Sequence, residues 1–271
     1  MDKLINNKII TTLICPVCKN DKFNQNTVIT KRLSDEWNLS SLEENYINKQ
    51  QGKFCTKCNS SLRSMTLANS ILEYFKYNSC FKDFCQSKYK NKLNVLEVNE
   101  AGHLHRFLEN FKNHQFAEYP NVDIQKLPYE DNIFDFIVHS DTLEHVEDSL
   151  LGLKECHRVL KSNGVLFYTI PIVYGRMTKL RDGLSDSYHG SQNENQGEDW
   201  KVITEYGADF WVEIFDAGFN EICISKLDDK ASFAIIAKTR NKFSYKFDFI
   251  AFIRRLIQKL KSFKISYIIL I

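Results

Sequence analysis

The sequence predicts an α/β fold, in which the strands of a mostly parallel sheet alternate with helices. The apolar run 93–98 is followed at once by Asn99, Gly102 and a segment with helical spacing, a pattern typical of strand, tight turn and helix. A second apolar run, 133–140, precedes another helical segment and a further strand at 165–170. Strands that alternate with helices in this way favour a parallel sheet.

Length, charge and cysteine content narrow the class of protein. A chain of 271 residues can form one α/β domain and a smaller accessory unit. The formal net charge of +2 argues against binding nucleic acid through bulk electrostatics. We find neither an N-terminal secretory signal pattern nor an uninterrupted apolar span. Eight cysteines in such a chain favour reduced thiols or a metal site over disulfides, and we expect a cytoplasmic protein.

We divide the chain into four segments. Residues 1–60 contain two CxxC pairs and are expected to form a small separate unit. Residues 61–92 form a helical connector, because apolar side chains recur there at helical spacing. Residues 93–240 form the α/β domain, and residues 241–271 form a basic tail.

The two CxxC pairs predict a metal site. Cys15 and Cys18 form the first pair, and Cys55 and Cys58 form the second. Together they supply the four thiolates that a tetrahedral structural Zn²⁺ requires, with no position left open for catalysis. Unbound cysteines in a folded unit, or a redox pair, are the alternatives.

Four further motifs lie downstream of the first strand. They are Leu127-Pro128, Phe134-Asp135, Leu143 to Val146, and Arg158 to Gly164. This array resembles the class I S-adenosylmethionine-dependent methyltransferases, over roughly Leu93 to Lys238. The resemblance implies a Rossmann-like methyltransferase sheet, S-adenosylmethionine as the cofactor and methyl transfer as the reaction.

The resemblance also implies which residues bind the cofactor. Glu97 stands where the family has an acid that holds the methionine ammonium, Glu118 where it has the acid for the ribose hydroxyls, and Asp123 where it has the residue near the adenine amino group. A surface carboxylate is the alternative for Glu97, and a turn cap is the alternative for Asp123. The helix that usually precedes the third strand is missing or reduced, which weakens the assignment of Glu118. The full set is Glu97, Asn99, Ala101, Gly102, Glu118, Asp123 and Ser140.

The loop after the first strand departs from the family pattern. Where most relatives have three glycines, this chain has Asn99, Ala101 and His103, with Gly102 displaced. Asn tolerates left-handed backbone and Ala is small, so both are mild replacements. The methionine end of the cofactor carries no phosphate, whereas the pyrophosphate of NAD needs a close backbone approach. The loop therefore argues against NAD.

Candidates for the chemical step lie at a strand end and in an insertion. Ligands of open α/β sheets bind outside the carboxyl ends of the strands, where His139 and Asp141 follow one apolar run. The insertion from 171 to about 198 includes His189, and we interpret it as a lid that binds the methyl acceptor; a mobile surface loop is the alternative. His139, Asp141 and His189 are the candidates for removing a proton, without a ranking.

We expect methyl transfer to an O or N nucleophile of a small molecule or glycan intermediate. One alternative is a non-catalytic binding module on the same fold, which the altered loop favours. Another is a methyltransferase that acts on protein or RNA through the CxxC unit, although the near-neutral charge argues against a nucleic-acid partner.

The tail from 241 to 271 carries seven cations and one acid among apolar residues at helical spacing. A basic amphipathic helix with aromatic anchors can lie peripherally on the inner face of a membrane. Packing on the protein's own surface or on a second subunit is the alternative.

Overall fold

The computed structural model describes residues 13–188, 200–227 and 232–239. His189 and the tail 241–271 lie outside these residues, so the roles expected for them stay predictions. Within the described part of the chain, no helix is both long and apolar enough to cross a membrane.

The described residues form strands, α-helices and 3₁₀ helices. The strands are β1 (Phe23–Gln25), β2 (Lys53–Cys55), β3 (Asn94–Val98), β4 (Asn113–Ala117), β5 (Phe134–Ser140), β6 (Leu160–Thr169), β7 (Lys179–Leu180), β8 (Thr204–Glu205), β9 (Glu221–Lys226) and β10 (Phe233–Lys238). The α-helices are α1 (Lys31–Glu36), α2 (Ser41–Gly52), α3 (Leu62–Tyr74), α4 (Phe81–Gln86), α5 (His105–Leu108), α6 (Ser149–Val159) and α7 (Trp211–Asp216). Short 3₁₀ helices lie at Lys88–Asn91, Gly102–Leu104, Ile124–Lys126 and Leu143–His145.

A six-stranded sheet in the order β4-β3-β5-β6-β10-β9 forms the centre of the molecule. The strands from β3 to β6 are parallel, whereas β10 runs antiparallel to both β6 and β9. The prediction of an α/β fold with a Rossmann-like sheet is thereby confirmed. Strand β4 ends at Ala117, so Glu118 follows the strand instead of lying in it.

The sheet is apolar on both faces because helices cover both faces. Val95 and Phe136 pack into a core that includes residues of α3 and α4. Leu96 and Ile137, one position further along the same strands, pack into a second core with residues of α6 and α7. This alternation is why β3 and β5 appear in the sequence as continuous apolar runs.

Helix α3 joins the cysteine-rich segment to the sheet. It begins after Ser61, whose Oγ accepts a hydrogen bond from the Ser64 backbone N–H at 3.2 Å. Its buried residues, among them Leu67 and Ile71, pack in the core on the same side of the sheet as Val95. The described residues up to Thr239 therefore form one compact unit.

Candidate active site

The loop after β3 has the left-handed backbone that glycines usually provide. Asn99 has φ of 52° and Gly102 has φ of 56°. The Asn99 N–H donates to the Ala117 carbonyl oxygen at 2.8 Å, and its side-chain Oδ1 accepts from the Tyr119 N–H at 3.0 Å. Asn99 therefore takes the conformation of a glycine and also ties the loop to the end of β4.

Gly102 is required by space as well as by conformation. A Cβ at this position would lie 2.7 Å from the Oγ of Ser64, near the start of α3. Ser64 is itself buried, so it has little room to move. The loop and the first turn of α3 are consequently packed against each other.

Glu97 holds the loop from inside the protein. Its side chain is fully buried, and its Oε1 accepts from the Ala101 N–H at 2.9 Å. Its Oε2 lies 2.9 Å from His105 Nδ1 and 2.9 Å from His114 Nε2. Both carboxylate oxygens are thus engaged by the protein, and the geometry favours an indirect contribution of Glu97 to ligand binding, through the position of the loop.

The remaining residues that the resemblance assigns to the cofactor differ in their surroundings. Glu118 is exposed just beyond β4. Asp123 caps the 3₁₀ turn that follows it, since its Oδ1 accepts from the Gln125 N–H at 2.8 Å, as the turn-cap alternative requires. Ser140 is buried, and its Oγ lies 2.8 Å from Thr169 Oγ1, which joins the carboxyl ends of β5 and β6.

His139 is buried within the sheet layer and does not line the cavity described below. The alternation of side chains along β5 directs it toward Tyr168, whose ring centroid is 4.8 Å away. Neither ring nitrogen has a hydrogen-bond partner among the described residues, and burial lowers the pKa of His139 to about 3. This environment argues for packing and against the proton-accepting role that its position at a strand end suggests.

Asp141 forms an ion pair with Arg63 at the start of α3. Burial lowers the pKa of Arg63 to about 10, so the guanidinium stays charged at neutral pH. Asp141 also has φ of 49°, in the left-handed region, directly after β5. The pair connects α3 to the carboxyl end of β5, and it leaves Asp141 as a paired carboxylate.

A cavity of about 490 Å³ lies beside this ion pair. Arg63 and Ser64 border it from α3, and Gly102 and His103 border it from the loop after β3. Pro171 and Ile172, which follow β6, complete this side. The cavity therefore lies at the carboxyl ends of the parallel strands, where open α/β sheets bind ligands.

Among the described residues, His103 is the histidine that borders this cavity. Its Nε2 lies 3.1 Å from the side-chain nitrogen of Asn59. Burial and the nearby Arg106 cation hold the pKa of His103 below its ordinary value, which keeps the ring neutral at pH 7. The sequence shows His103 only as a departure from the glycine pattern, and this departure was the one available signal for its position.

We use the term roof for residues 28–54, 173–188 and 200–205, of which Val173 and members of 28–54 border the opposite side of the cavity. Arg176 fastens the first two of these ranges, since its guanidinium donates to the carbonyl oxygens of Trp37 and Asn38, each at 2.7 Å, and to Glu43 at 2.9 Å. The indole Nε1–H of Trp37 donates to Ser187 Oγ at 2.8 Å. The described part of the predicted lid is therefore docked on the cysteine-rich segment.

A second arginine is buried in the same contact. Arg181 pairs with Glu205, and its guanidinium carbon lies 5.5 Å from the ring centroid of Trp37. Lys179 reaches the same carboxylate at 2.9 Å, but its side chain is half exposed. Two arginines thus hold the insertion in place where apolar packing is sparse.

The four cysteines of the two CxxC pairs lie together. Their sulfurs all fall within 4.8 Å of one another, with Cys15 and Cys58 at 3.6 Å and Cys18 and Cys55 at 3.6 Å. The two turns are alike, because Lys19 and Asn59 each have a left-handed backbone one residue after a pair. The juxtaposition that the spacing predicts is present.

The segment from residue 86 to residue 168 matches the family model described as "Methyltransferase domain". A demethylmenaquinone methyltransferase of Staphylococcus epidermidis (strain ATCC 12228) is 46% identical over 114 residues, which are 38% of this chain and 47% of that protein. A ubiquinone/menaquinone biosynthesis C-methyltransferase of Enterobacter sp. (strain 638) is 33% identical over 97 residues, 33% of this chain and 38% of that protein. The chain thus spans less than half the length of these curated relatives.

A solved S-adenosylmethionine-dependent methyltransferase from Aquifex aeolicus is 17% identical, with 64% of this chain and 89% of that chain covered and a TM-score of 0.36. The family model and the curated relatives identify residues 86–168 as part of a class I methyltransferase domain. These residues belong to a sheet of the predicted type. The cysteine cluster and the whole insertion from 171 lie outside the matched segment.

Proposed function

We propose that the chain transfers a methyl group from S-adenosylmethionine to an O or N nucleophile of a small molecule or glycan intermediate. The observation that carries this proposal is the cavity of about 490 Å³ at the carboxyl ends of the sheet strands. Its size is that of a small-molecule site. It is bordered by Gly102 and His103, on the loop whose left-handed residues replace the family's glycines.

The residues around the loop fit the methionine end of the cofactor. Arg63 and Gly102 both border the cavity, and the Nε–H of Arg63, which has no hydrogen-bond partner among the described residues, can donate to a carboxylate although Asp141 already pairs with the guanidinium. Glu97 keeps the loop in place through Ala101. When bound, the cofactor supplies an activated methyl group on a sulfonium sulfur. The task of the protein is then to align the nucleophile and, for a hydroxyl, to accept its proton.

We assign the proton-accepting role to His103. It borders the cavity, and its lowered pKa leaves it neutral at pH 7. The Asn59 amide donates to its Nε2, so this hydrogen bond has to be released before Nε2 takes a proton. His139 is buried away from the cavity-lining residues, and Asp141 is paired with Arg63. His189 stays a candidate outside the described residues.

A carbon acceptor is the second candidate. The curated relatives are a demethylmenaquinone methyltransferase and a C-methyltransferase of ubiquinone and menaquinone biosynthesis. Transfer to carbon needs the same alignment in the same cavity. Product analysis that locates the new methyl group on oxygen, nitrogen or carbon separates the two candidates.

We also propose one structural Zn²⁺ on Cys15, Cys18, Cys55 and Cys58. A tetrahedral site with zinc–sulfur bonds of about 2.3 Å places its sulfurs about 3.8 Å apart. The two measured sulfur–sulfur distances of 3.6 Å are close to this value. Four thiolates complete the coordination, so the ion would stabilise the fold and take no part in the chemistry.

Calorimetry with S-adenosylmethionine and S-adenosylhomocysteine tests the proposed function. The full chain should bind both, and Glu97→Ala should weaken binding of S-adenosylhomocysteine at least about tenfold, or about 1.4 kcal/mol, because the loop loses its internal anchor. Glu100→Ala removes an exposed acid of the same loop and serves as the matched control, with unchanged affinity. If neither S-adenosylmethionine nor S-adenosylhomocysteine gives binding heat, the proposal is refuted and a non-catalytic module is favoured.

A further inference from the structure

The cavity has two sides of different origin. One side comes from the methyltransferase domain and the residues next to it. The other side consists of residues 28–54 of the cysteine-rich segment, which precedes the matched domain. We propose that this second side is the acceptor site, and that it selects a small, largely apolar molecule carrying an oxygen that accepts a hydrogen bond. This inference rests on the proposed function and narrows its acceptor class.

The wall contributed by the cysteine-rich segment is apolar. Its apolar members are only partly buried, so they leave apolar surface facing the cavity. These residues are Val28, Ile29, Leu33, Leu39, Ile47 and Phe54. Apolar ligand surface placed against such side chains is removed from water, which favours binding. The hydroxyl groups of a sugar would lose water against these side chains without gaining hydrogen bonds. The wall therefore favours an apolar acceptor over a glycan.

One polar side chain of the same wall has an unused donor. Gln50 lies on α2, is 1% exposed and borders the cavity. Its Nε2 has no hydrogen-bond partner among the described residues. Buried amides without partners are uncommon, because the desolvated group loses its hydrogen bonds to water. A ligand oxygen at this position would supply the partner.

Local contacts fix this wall to the cysteine cluster. The side-chain oxygen of Asn48 accepts hydrogen bonds from the backbone N–H groups of Val28 at 2.8 Å and Ile29 at 2.9 Å. Helix α2 then leads directly into β2, which ends at Cys55. The cysteine cluster thereby positions both Gln50 and the apolar side chains opposite the loop at Gly102.

Binding of 2-naphthol, naphthalene and methyl α-glucoside to the full chain, with saturating S-adenosylhomocysteine, tests the inference. We expect 2-naphthol to bind more tightly than naphthalene, and methyl α-glucoside not to bind. Ile47→Trp fills the cavity and should weaken 2-naphthol at least about tenfold while leaving the affinity for S-adenosylhomocysteine unchanged. Leu42→Trp is the matched control on the exposed side of α2 and should change neither affinity.

Gln50→Leu provides a second variant that does not depend on filling the cavity. It should abolish the preference for 2-naphthol over naphthalene, because the donor to the oxygen is gone. The inference is overturned if 2-naphthol does not bind, if the glucoside binds instead, if Ile47→Trp and Leu42→Trp behave alike although both fold, or if Gln50→Leu keeps the preference. Failure of the wild-type chain to bind S-adenosylhomocysteine is a different result, which refutes the proposed function.

Discussion

The sheet and the roof of the cavity are stabilised by different interactions. In the sheet, fully buried apolar residues such as Val95, Leu96 and Phe136 belong to two extensive cores, one on each face. The roof has a much smaller apolar core, in which Trp37, Val173 and Val202 are the buried members. Ion pairs, hydrogen bonds and the cysteine cluster supply the remaining contacts. A single change should therefore loosen the roof while the sheet stays folded.

The largest effect is expected from Cys55→Ser, which removes one of four ligands. Metal binding supplies roughly 10–16 kcal/mol of apparent free energy in zinc-finger peptides, so residues 13–60 should lose much of their stability. Metal analysis should show near-unit zinc in the wild type and less in the variant. Hydrogen exchange should become fast in residues 13–60 and stay slow in β3 and β5.

Cys223→Ser is the control for this experiment, because Cys223 lies in β9 and outside the cluster. The Cys223→Ser variant should keep its zinc, and hydrogen exchange in residues 13–60 should stay slow. A metal-free wild-type chain with undiminished protection over residues 13–60 would contradict the zinc proposal. Loss of protection in the sheet as well would contradict the difference between sheet and roof.

Arg181→Met tests the polar contacts of the roof. Arg181 and Glu205 are both buried, and removal of one partner of a buried pair costs about 3–5 kcal/mol because a charge is left uncompensated. Lys179 still reaches Glu205, which places the expected loss at the lower end of this range. Denaturant unfolding measures the loss of stability. Hydrogen exchange should become faster in residues 171–188 before it does in the sheet.

Lys179→Met is the matched control, since it removes a cation from the same carboxylate at a half-exposed position. Exposed pairs contribute about 0–1 kcal/mol, so its effect should be small. Equal losses in the two variants would mean that burial of Arg181 is unimportant for the roof.

The difference between sheet and roof also explains which features of the molecule could be predicted from the sequence. The sheet follows from local patterns, because apolar runs and turns lie within a few residues of each other. Asn99 was expected to tolerate left-handed backbone, and it has that conformation. The cysteine cluster could be predicted too, because two CxxC pairs bring their ligands to one place with few geometric alternatives.

The contacts of the cavity left no such local pattern. Arg63 pairs with Asp141, and Arg176 with Glu43, across long stretches of chain. His139 ends an apolar run, but only the direction of its side chain on β5 shows that it packs against Tyr168. Long-range pairing and side-chain direction depend on the tertiary fold, which one sequence does not specify by periodicity.

The smallest effect is expected from pH, through Glu43. Burial alone would raise the pKa of this carboxyl, but the hydrogen bonds from Arg176 and Ser40 outweigh burial and lower it from 4.5 to about 2. A carboxyl with a lowered pKa in the folded state stabilises that state above its unfolded pKa. The contribution of Glu43 should therefore be complete above about pH 4.5 and be lost as the pH falls toward 2. A loss of about 2–3 kcal/mol is expected.

Comparison with Arg176→Gln isolates this contribution. Other carboxyls titrate in the same range, and protonation of the thiolates releases bound metal, so the wild-type curve alone is not specific. The variant lacks the cation that lowers the pKa of Glu43, and its stability should depend less on pH between 4.5 and 2. Denaturant unfolding of both proteins at several pH values gives the difference. Parallel curves would show that the Arg176–Glu43 contact does not stabilise the roof; converging curves at low pH would show that it does.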